Sequence, residues 1–252
     1  SRTTPLSRQG CQKTKETMHI AVDALGVKHS GGAVVLLDFL HAAIADERVS
    51  CITVFCSPRS KRNFALPESR KIREREQPQA ENSYLCRIFW FQRLLGQQCQ
   101  QIDADALICM VGAGTAAESC PHVTLIQQSL PFLAEYRRTV ALKDRLRLAV
   151  LKRLMLISCR SARRVIVQTP TMKAWLSQQL SIDSDSIDVL LPTARLQPDG
   201  LNSAGKGVFG ANNGAKLLYV GNDAPYKNVR TLINGMRHLR QRVPDATLYL
   251  TW

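Results

Sequence analysis

The sequence predicts an α/β protein: a doubly wound parallel-sheet, Rossmann-like domain followed by the start of a second such domain. Three observations predict it. Short apolar runs bounded by turns alternate with segments of helical spacing up to about Thr193, and that alternation implies right-handed βαβ units around a parallel sheet. A stretch rich in Gly, Asn, Ser and Pro, "ARLQPDGLNSAGKGVFGANNGA", then breaks the pattern; that is a linker composition. After it the alternation restarts with "KLLYVGN", "NVRTLINGMRHLRQRV" and "ATLYLTW". The expected boundaries are a flexible or non-native tail over residues 1–17, a first domain over 18–194, a linker over 195–214 and the opening of a second domain over 215–252. Two strands and a helix cannot cover their own apolar faces, so the chain is expected to be a fragment ending inside that second domain.

The elements follow in order. "HIAVDAL" is short, apolar and turn-bounded, as a buried parallel strand is, and "GVKHSGG" follows as a glycine-bearing loop. "AVVLLDFLHAAIADE" reads as a helix apolar on most sides, and "CITVFCSP" as a second strand stopped at Pro58. Arg59 to Glu76 carries seven basic and three acidic residues and reads as a surface loop or frayed helix. "ENSYLCRIFWFQRLLGQQCQQ" has helical spacing, with Tyr84, Ile88, Phe91 and Leu95 on one stripe. "ADALICMVG" is a third strand, and "HVTLIQQSLPF" a fourth, ending in two glutamines and a proline turn. Ala134 to Arg164 looks helical. "RRVIVQT" is a fifth strand, "PTMKAWLSQQL" a helix with Pro170 near its first turn, and "SIDVLLPT" a sixth strand.

Composition narrows the class. Hydrophobic content of 45% suits a globular core, but a net charge of +14 does not come with an ordinary one; such a surplus points to an anionic partner. Of the eight cysteines no pair has CxxC spacing, and Cys51, Cys86 and Cys109 lie in apolar runs, where thiols act as small hydrophobes. Reduced cysteines in a cytoplasmic protein are expected, without a zinc site or a disulfide framework. No window of about 18 uncharged apolar residues exists, so no membrane-spanning helix is expected.

Ligands of open α/β sheets bind beyond the carboxyl ends of the strands, and four loops stand there. Ser30 to Gly32 offers two glycines, Gly31 and Gly32, and a helix start to an anion, or is a tight turn and nothing more. Gln127, Gln128 and Ser129 end strand four, and Thr169 ends strand five; amides and hydroxyls there suit sugar hydroxyls, and equally suit caps and turns. In "GNDAPYKN", Lys227 stands where a phosphate meets an ammonium and a helix N-terminus together. Against that, a lysine at a helix start is commonly just solvated, and Asn228 is an ordinary capping residue.

Taken jointly, a Gly-Gly loop after strand one, a linker and then "LLYVG…YKNVRTLI" resemble the GT-B glycosyltransferases of family four. Tyr219 to Gly221, Lys227, Asn228 and Leu232 match the opening of that family's second domain. "RRVIVQTPTMKAWL" and "IDVLLPT" look like the close of its first. The resemblance covers about Met18 to Trp252. It implies retaining transfer of a sugar from a nucleotide-sugar donor to a glycan or lipid-linked acceptor, in a cleft between two domains. Gly31 and Gly32 would face donor diphosphate and acceptor, and Lys227 would neutralise the departing phosphate. No metal is expected, because fixed cations and helix dipoles do that work. The sequence departs from the family in three places. Asn222 and Asp223 stand where an arginine is common; Gln127 and Gln128 hold the strand end where a histidine is often found; and the family's Glu-x7-Glu pair falls past the last residue. No catalytic acid or base is therefore assigned.

"AEYRRTVALKDRLRLAVLKRLMLISCRSARR" holds ten basic and two acidic residues, with Leu142, Leu146, Ala149 and Val150 on one helical face. One reading is a core-packing helix with a solvated basic outer face. The other is a helix resting on anionic lipid, with Arg145, Arg147, Lys152 and Arg153 as contacts, which would place the protein peripherally on the inner face of the cell membrane. Nucleic acid is not expected, since Tyr136 is the one aromatic among these charges to stack a base. The rival to the enzyme is a basic, non-catalytic module that holds a phosphorylated ligand or nucleic acid. A nucleotide-sugar epimerase is a further alternative.

Overall fold

The computed structural model describes residues 17–27, 31–115, 120–191, 214–221 and 223–251. The expected tail up to residue 16, Ser30 and Asn222, and all of the expected linker except Gly214, lie outside the described residues. Contacts divide the chain into two units, Ser1–Pro192 and Thr193–Trp252.

The first unit is a seven-stranded sheet in the order β3-β2-β1-β4-β5-β6-β7. Its strands are β1 (Met18–Asp23), β2 (Val49–Cys56), β3 (Ile72–Glu76), β4 (Ala106–Cys109), β5 (His122–Ile126), β6 (Arg164–Val167) and β7 (Ile187–Val189). Every pairing is parallel. The fold is therefore the expected doubly wound α/β class, with one strand more than the six expected. The extra strand, β3, lies within the segment read as loop or frayed helix. Its sequence, Ile72-Arg73-Glu74-Arg75-Glu76, has only one apolar residue, so apolar patterning could not reveal it. Parallel pairing with β2, Ile52↔Ile72 through Cys56↔Glu76, holds it. Charged side chains are common devices on a sheet edge, where they discourage pairing with another chain. Lys61 anchors the strand from the side, with its ammonium 2.6 Å from Glu74.

Helices cover both faces. Helix α1 (Gly31–Ala45) buries Ala33, Leu36, Leu40 and Ala43, a spacing that returns to the same stripe. The four-residue α2 (Pro58–Lys61) is closed by a capping box between Ser57 and Ser60. Next, α3 (Tyr84–Phe89) runs through a π turn, Trp90–Leu94, into α4 (Leu95–Gln101). The inserted π turn shifts the register, so Trp90 and Phe91, adjacent in sequence, are both buried. Trp90 meets Phe55 edge-on, their ring centres 5.5 Å apart.

The basic segment is two helices, α5 (Ala134–Thr139) and α6 (Leu142–Ser161), parted by the extended Val140. Only the second half of α6 enters the core, through Leu154, Met155, Ser158 and Cys159. The core-packing reading fails for the first half, where Leu142 is 77% and Leu146 67% exposed. The last helix of the unit, α7 (Pro170–Leu180), packs Leu176 and Leu180 against β6 and β7. Seven described cysteines are free thiols, six of them buried; burial pushes both Cys56 and Cys159 up to about 12, so they serve as apolar filling.

In the second unit, β8 (Lys216–Tyr219) and β9 (Thr247–Leu250) pair in parallel, Lys216↔Thr247 through Tyr219↔Leu250. Helix α8 (Val229–Arg242) crosses over between them and buries Val229 and Met236.

Candidate functional site

The strand order reverses at β1. The chain steps outward from β1 through β2 to β3, then returns to place β4 on the other side of β1. The crevice beyond the carboxyl ends of β1 and β4 is thus the place where such sheets bind ligands.

Asp23, the last residue of β1, is wholly buried. Its Oδ1 accepts from the Leu25 backbone N–H at 3.5 Å and from the Trp90 indole at 3.4 Å, while Oδ2 has no hydrogen-bond partner among the described residues. Burial pushes this carboxyl up to about 7, opposed by those two bonds and by the nearby Arg87 charge. The turn that Asp23 braces runs over Gly26, where a Cβ would fall 2.8 Å from a Val111 methyl; only glycine fits so close an approach. This turn forms one wall of a cavity of about 190 Å³. Arg59 and Ser60 from α2, Asn63, Arg87 from α3 and Arg147 from α6 form the rest among the described residues. Arg87 donates to the Leu25 carbonyl at 3.5 Å, and the Asn63 amide to the Val27 carbonyl at 3.1 Å.

The residues expected at the strand ends divide into groups. Gly31 and Gly32 are the first two residues of α1 rather than a loop before it. A Cβ on Gly31 would meet nothing within 4 Å, and one on Gly32 would lie 3.6 Å from Gln127 Oε1. Gln127 in turn donates from Nε2 to the Met110 carbonyl at 3.0 Å. The helix start and the end of β5 are therefore brought together, with an amide oxygen between them. Gln128 is exposed beside this junction. Thr169 caps α7, its hydroxyl accepting from the Met172 N–H at 3.1 Å.

In the second unit, a Cβ on Gly221 would lie 3.0 Å from the Lys227 ammonium, so Lys227 folds back over the loop that follows β8. Asn228 does not cap α8 through its side chain; it takes the left-handed conformation, φ 50°, which asparagine tolerates better than most residues. Its Oδ1 accepts from the Thr231 hydroxyl at 2.9 Å.

On α6, Arg145 donates to the carbonyls of Arg137 and Arg138, closing the carboxyl end of α5, while Arg147 lines the cavity. Lys152 is half-buried and Arg153 exposed. His19 and His122 sit at the amino ends of their strands, bonded to Thr53 and to the Ser158 carbonyl, away from the crevice. Among the described residues no group of three His, Cys, Asp or Glu could hold a metal, and no helix is long and apolar enough to cross a membrane.

Sequence reading missed Asp23, Arg59 and Arg87. A lone aspartate inside "HIAVDAL" was a usable signal. The arginines carried none, because nothing in their local sequence separates a converging charge from a solvated one.

No protein-family profile matches the chain, and no curated protein sequence does. Solved structures do. The lipopolysaccharide outer core galactosyltransferase WaaB in its apo form matches with a TM-score of 0.55 and 14% identity, over 92% of this chain and 60% of that one. UDP-GlcNAc 2-epimerase from Neisseria meningitidis bound to UDP-GlcNAc matches at 0.54 and 11%, over 92% of this chain and 65% of that one. Phytolacca americana apo UGT2 matches at 0.51 and 12%, over 94% and 73% respectively. This chain thus spans under two thirds of the length of the first two. At such identities the likeness establishes the fold: α/β, Rossmann-like and of GT-B type.

Proposed function

We propose that the chain belongs to a retaining glycosyltransferase that moves a sugar from a nucleotide-diphosphate donor to a glycan or lipid-linked acceptor in polysaccharide or cell-envelope synthesis. One observation carries this reading: Lys227 sets its ammonium over Gly221 at the carboxyl end of β8, just before α8 begins. An ammonium and a helix start together suit a departing diphosphate. The first unit adds the Gly32–Gln127 junction and an arginine-lined cavity at its own switch point, which suit the acceptor side. That GT-B neighbours include a galactosyltransferase, and an epimerase bound to UDP-GlcNAc, supports a nucleotide sugar as the donor. No metal enters this scheme. Fixed cations would take the charge as the acceptor oxygen replaces the nucleoside diphosphate at the anomeric carbon.

The exposed first half of α6 favours a peripheral place on an anionic membrane. Leu142 and Leu146 stand among basic side chains, and the Tyr84 hydroxyl donates to the Arg147 carbonyl, joining α6 to α3. There Leu85 and Phe89 are also exposed.

The test is sugar transfer by the full-length gene product, measured as kcat/KM beside a Tm. Lys227→Ala is expected to lower kcat/KM about a hundredfold, the scale of losing one charge-stabilising donor, with a Tm close to wild type because the side chain is exposed. A Lys227→Ala enzyme that turns over like wild type would overturn the assignment. The comparable likeness to an epimerase sustains a second reading. Conversion of the donor to its 2-epimer with no acceptor present would select it.

A further inference from the structure

We propose that the cavity beyond the carboxyl end of β1 is a binding site for a phosphate-bearing group, held by Arg59, Arg87 and Arg147. Three separate helices deliver these arginines to one space of about 190 Å³. No carboxylate is among the described residues that line it, nor does any described carboxylate make an ion pair with Arg87 or Arg147. Like charges gathered side by side repel one another, Arg87 and Arg147 without an ion-paired carboxylate among the described residues, and the arrangement is repaid when an anion enters. Asp23 is the carboxylate that Arg87 feels, but burial holds it up to about 7, so near neutrality it supplies only part of a balancing charge.

Guanidinium forks match tetrahedral oxyanions, two N–H donors to two oxygens. The Asn63 amide, already fixed on the Val27 carbonyl, adds a neutral polar edge to the same wall. Size narrows the ligand further. The cavity holds the liquid share of about six waters, at ~30 Å³ each, and is smaller than the ~300–1,000 Å³ of a site for a whole drug-sized ligand. A phosphate head fits, with the rest of the molecule outside. On the glycosyltransferase reading the group is the acceptor's own phosphate; the binding itself does not depend on that reading.

Arg147 is the variant to test. Its side chain is exposed and makes no hydrogen bond among the described residues, so Arg147→Gln is expected to keep the wild-type Tm. The 252-residue chain is titrated calorimetrically with inorganic phosphate and with glucose 1-phosphate. In a parallel arm it is mixed with phosphatidylcholine vesicles with and without phosphatidic acid. Saturable binding is expected, weakened about tenfold or more by Arg147→Gln or Arg87→Gln, the scale of one charge-assisted hydrogen bond. Arg160→Gln removes the same charge from α6 at a residue that does not line the cavity, and should bind like wild type. Arginine-dependent binding in solution assigns the phosphate to a soluble molecule; the same dependence on vesicles alone assigns it to a lipid. Absence of binding in both arms, or binding indifferent to both arginine variants, overturns the site. Phosphate binding without sugar transfer would leave the site standing and remove the transferase reading.

Discussion

At the scale of single residues, Asp23 sets a measurable pH dependence. The carboxyl titrates near its ordinary 3.8 when unfolded and at about 7 when folded. Between those values the folded state holds a proton that the unfolded state has lost, so stability falls as pH rises. The contribution is fully present below about pH 4, is lost through about pH 7 and is flat above. A shift of about 3 units corresponds to roughly 4 kcal/mol. Asp23→Asn is uncharged throughout, so it should flatten this part of the Tm–pH curve and melt higher than wild type at pH 8. Parallel curves for the two proteins would show that Asp23 is not the group responsible. The contrast between Asp23 and the arginines bounds what could be read from the chain. A buried charge announces itself as a break in an apolar run. Arg59, Arg87 and Arg147 meet only after folding, across gaps that no local pattern spans. Gln127 was legible as a strand end and Gly32 as a loop glycine, but their meeting was not, because α1 begins two residues earlier than its apolar residues suggest.

At the scale of elements, legibility followed burial. β1, β2 and β4 to β6 show as apolar runs because they lie inside the sheet, and the edge strand β7 shows through the apolar residues around it although only Ile187 is buried; β3 is charged, lies at the other edge and did not show. Helix α6 misled in the opposite way. Its leucines keep helical spacing for its whole length, yet spacing alone does not say which turns have a partner. The exposed turns make a direct test of membrane contact. Leu142→Asp with Leu146→Asp should abolish cosedimentation with anionic vesicles, since burying each leucine contributes about 1.5–3 kcal/mol, and should leave the Tm unchanged. Charge reversal at Arg145, Arg147, Lys152 and Arg153 should weaken binding at low salt and flatten its dependence on salt, because the screened attraction is gone. Unaltered cosedimentation of the double aspartate variant would remove the lipid reading of α6.

At the scale of the whole molecule, charge and apolar surface act against each other. The net charge of +14 repels copies of the chain, while Leu218 and Val220 in the second unit are 52% and 74% exposed. At low ionic strength repulsion should keep the chain monomeric. Near 1 M salt the Debye length shrinks to about 3 Å, and association through the second unit should appear in light scattering. Leu218→Lys with Val220→Lys should remain monomeric under the same conditions. A wild-type chain that stays monomeric in high salt would show that this surface is not sticky enough to matter.

The strand order also sets a clock for synthesis. β1 is central, but one of its two neighbours arrives late: the His19 N–H donates to Asp105, 86 residues further along the chain. At a ribosomal pace of about 5–20 residues per second that neighbour is missing for roughly 4 to 17 s. For that interval β1 can be paired by β2 on one side and open on the other. An apolar strand with a bare row of amides and carbonyls is a substrate for holding chaperones. A pause in translation between residues 56 and 106 would lengthen that exposure, and should increase chaperone capture of the nascent chain more than an equal pause placed after Cys109.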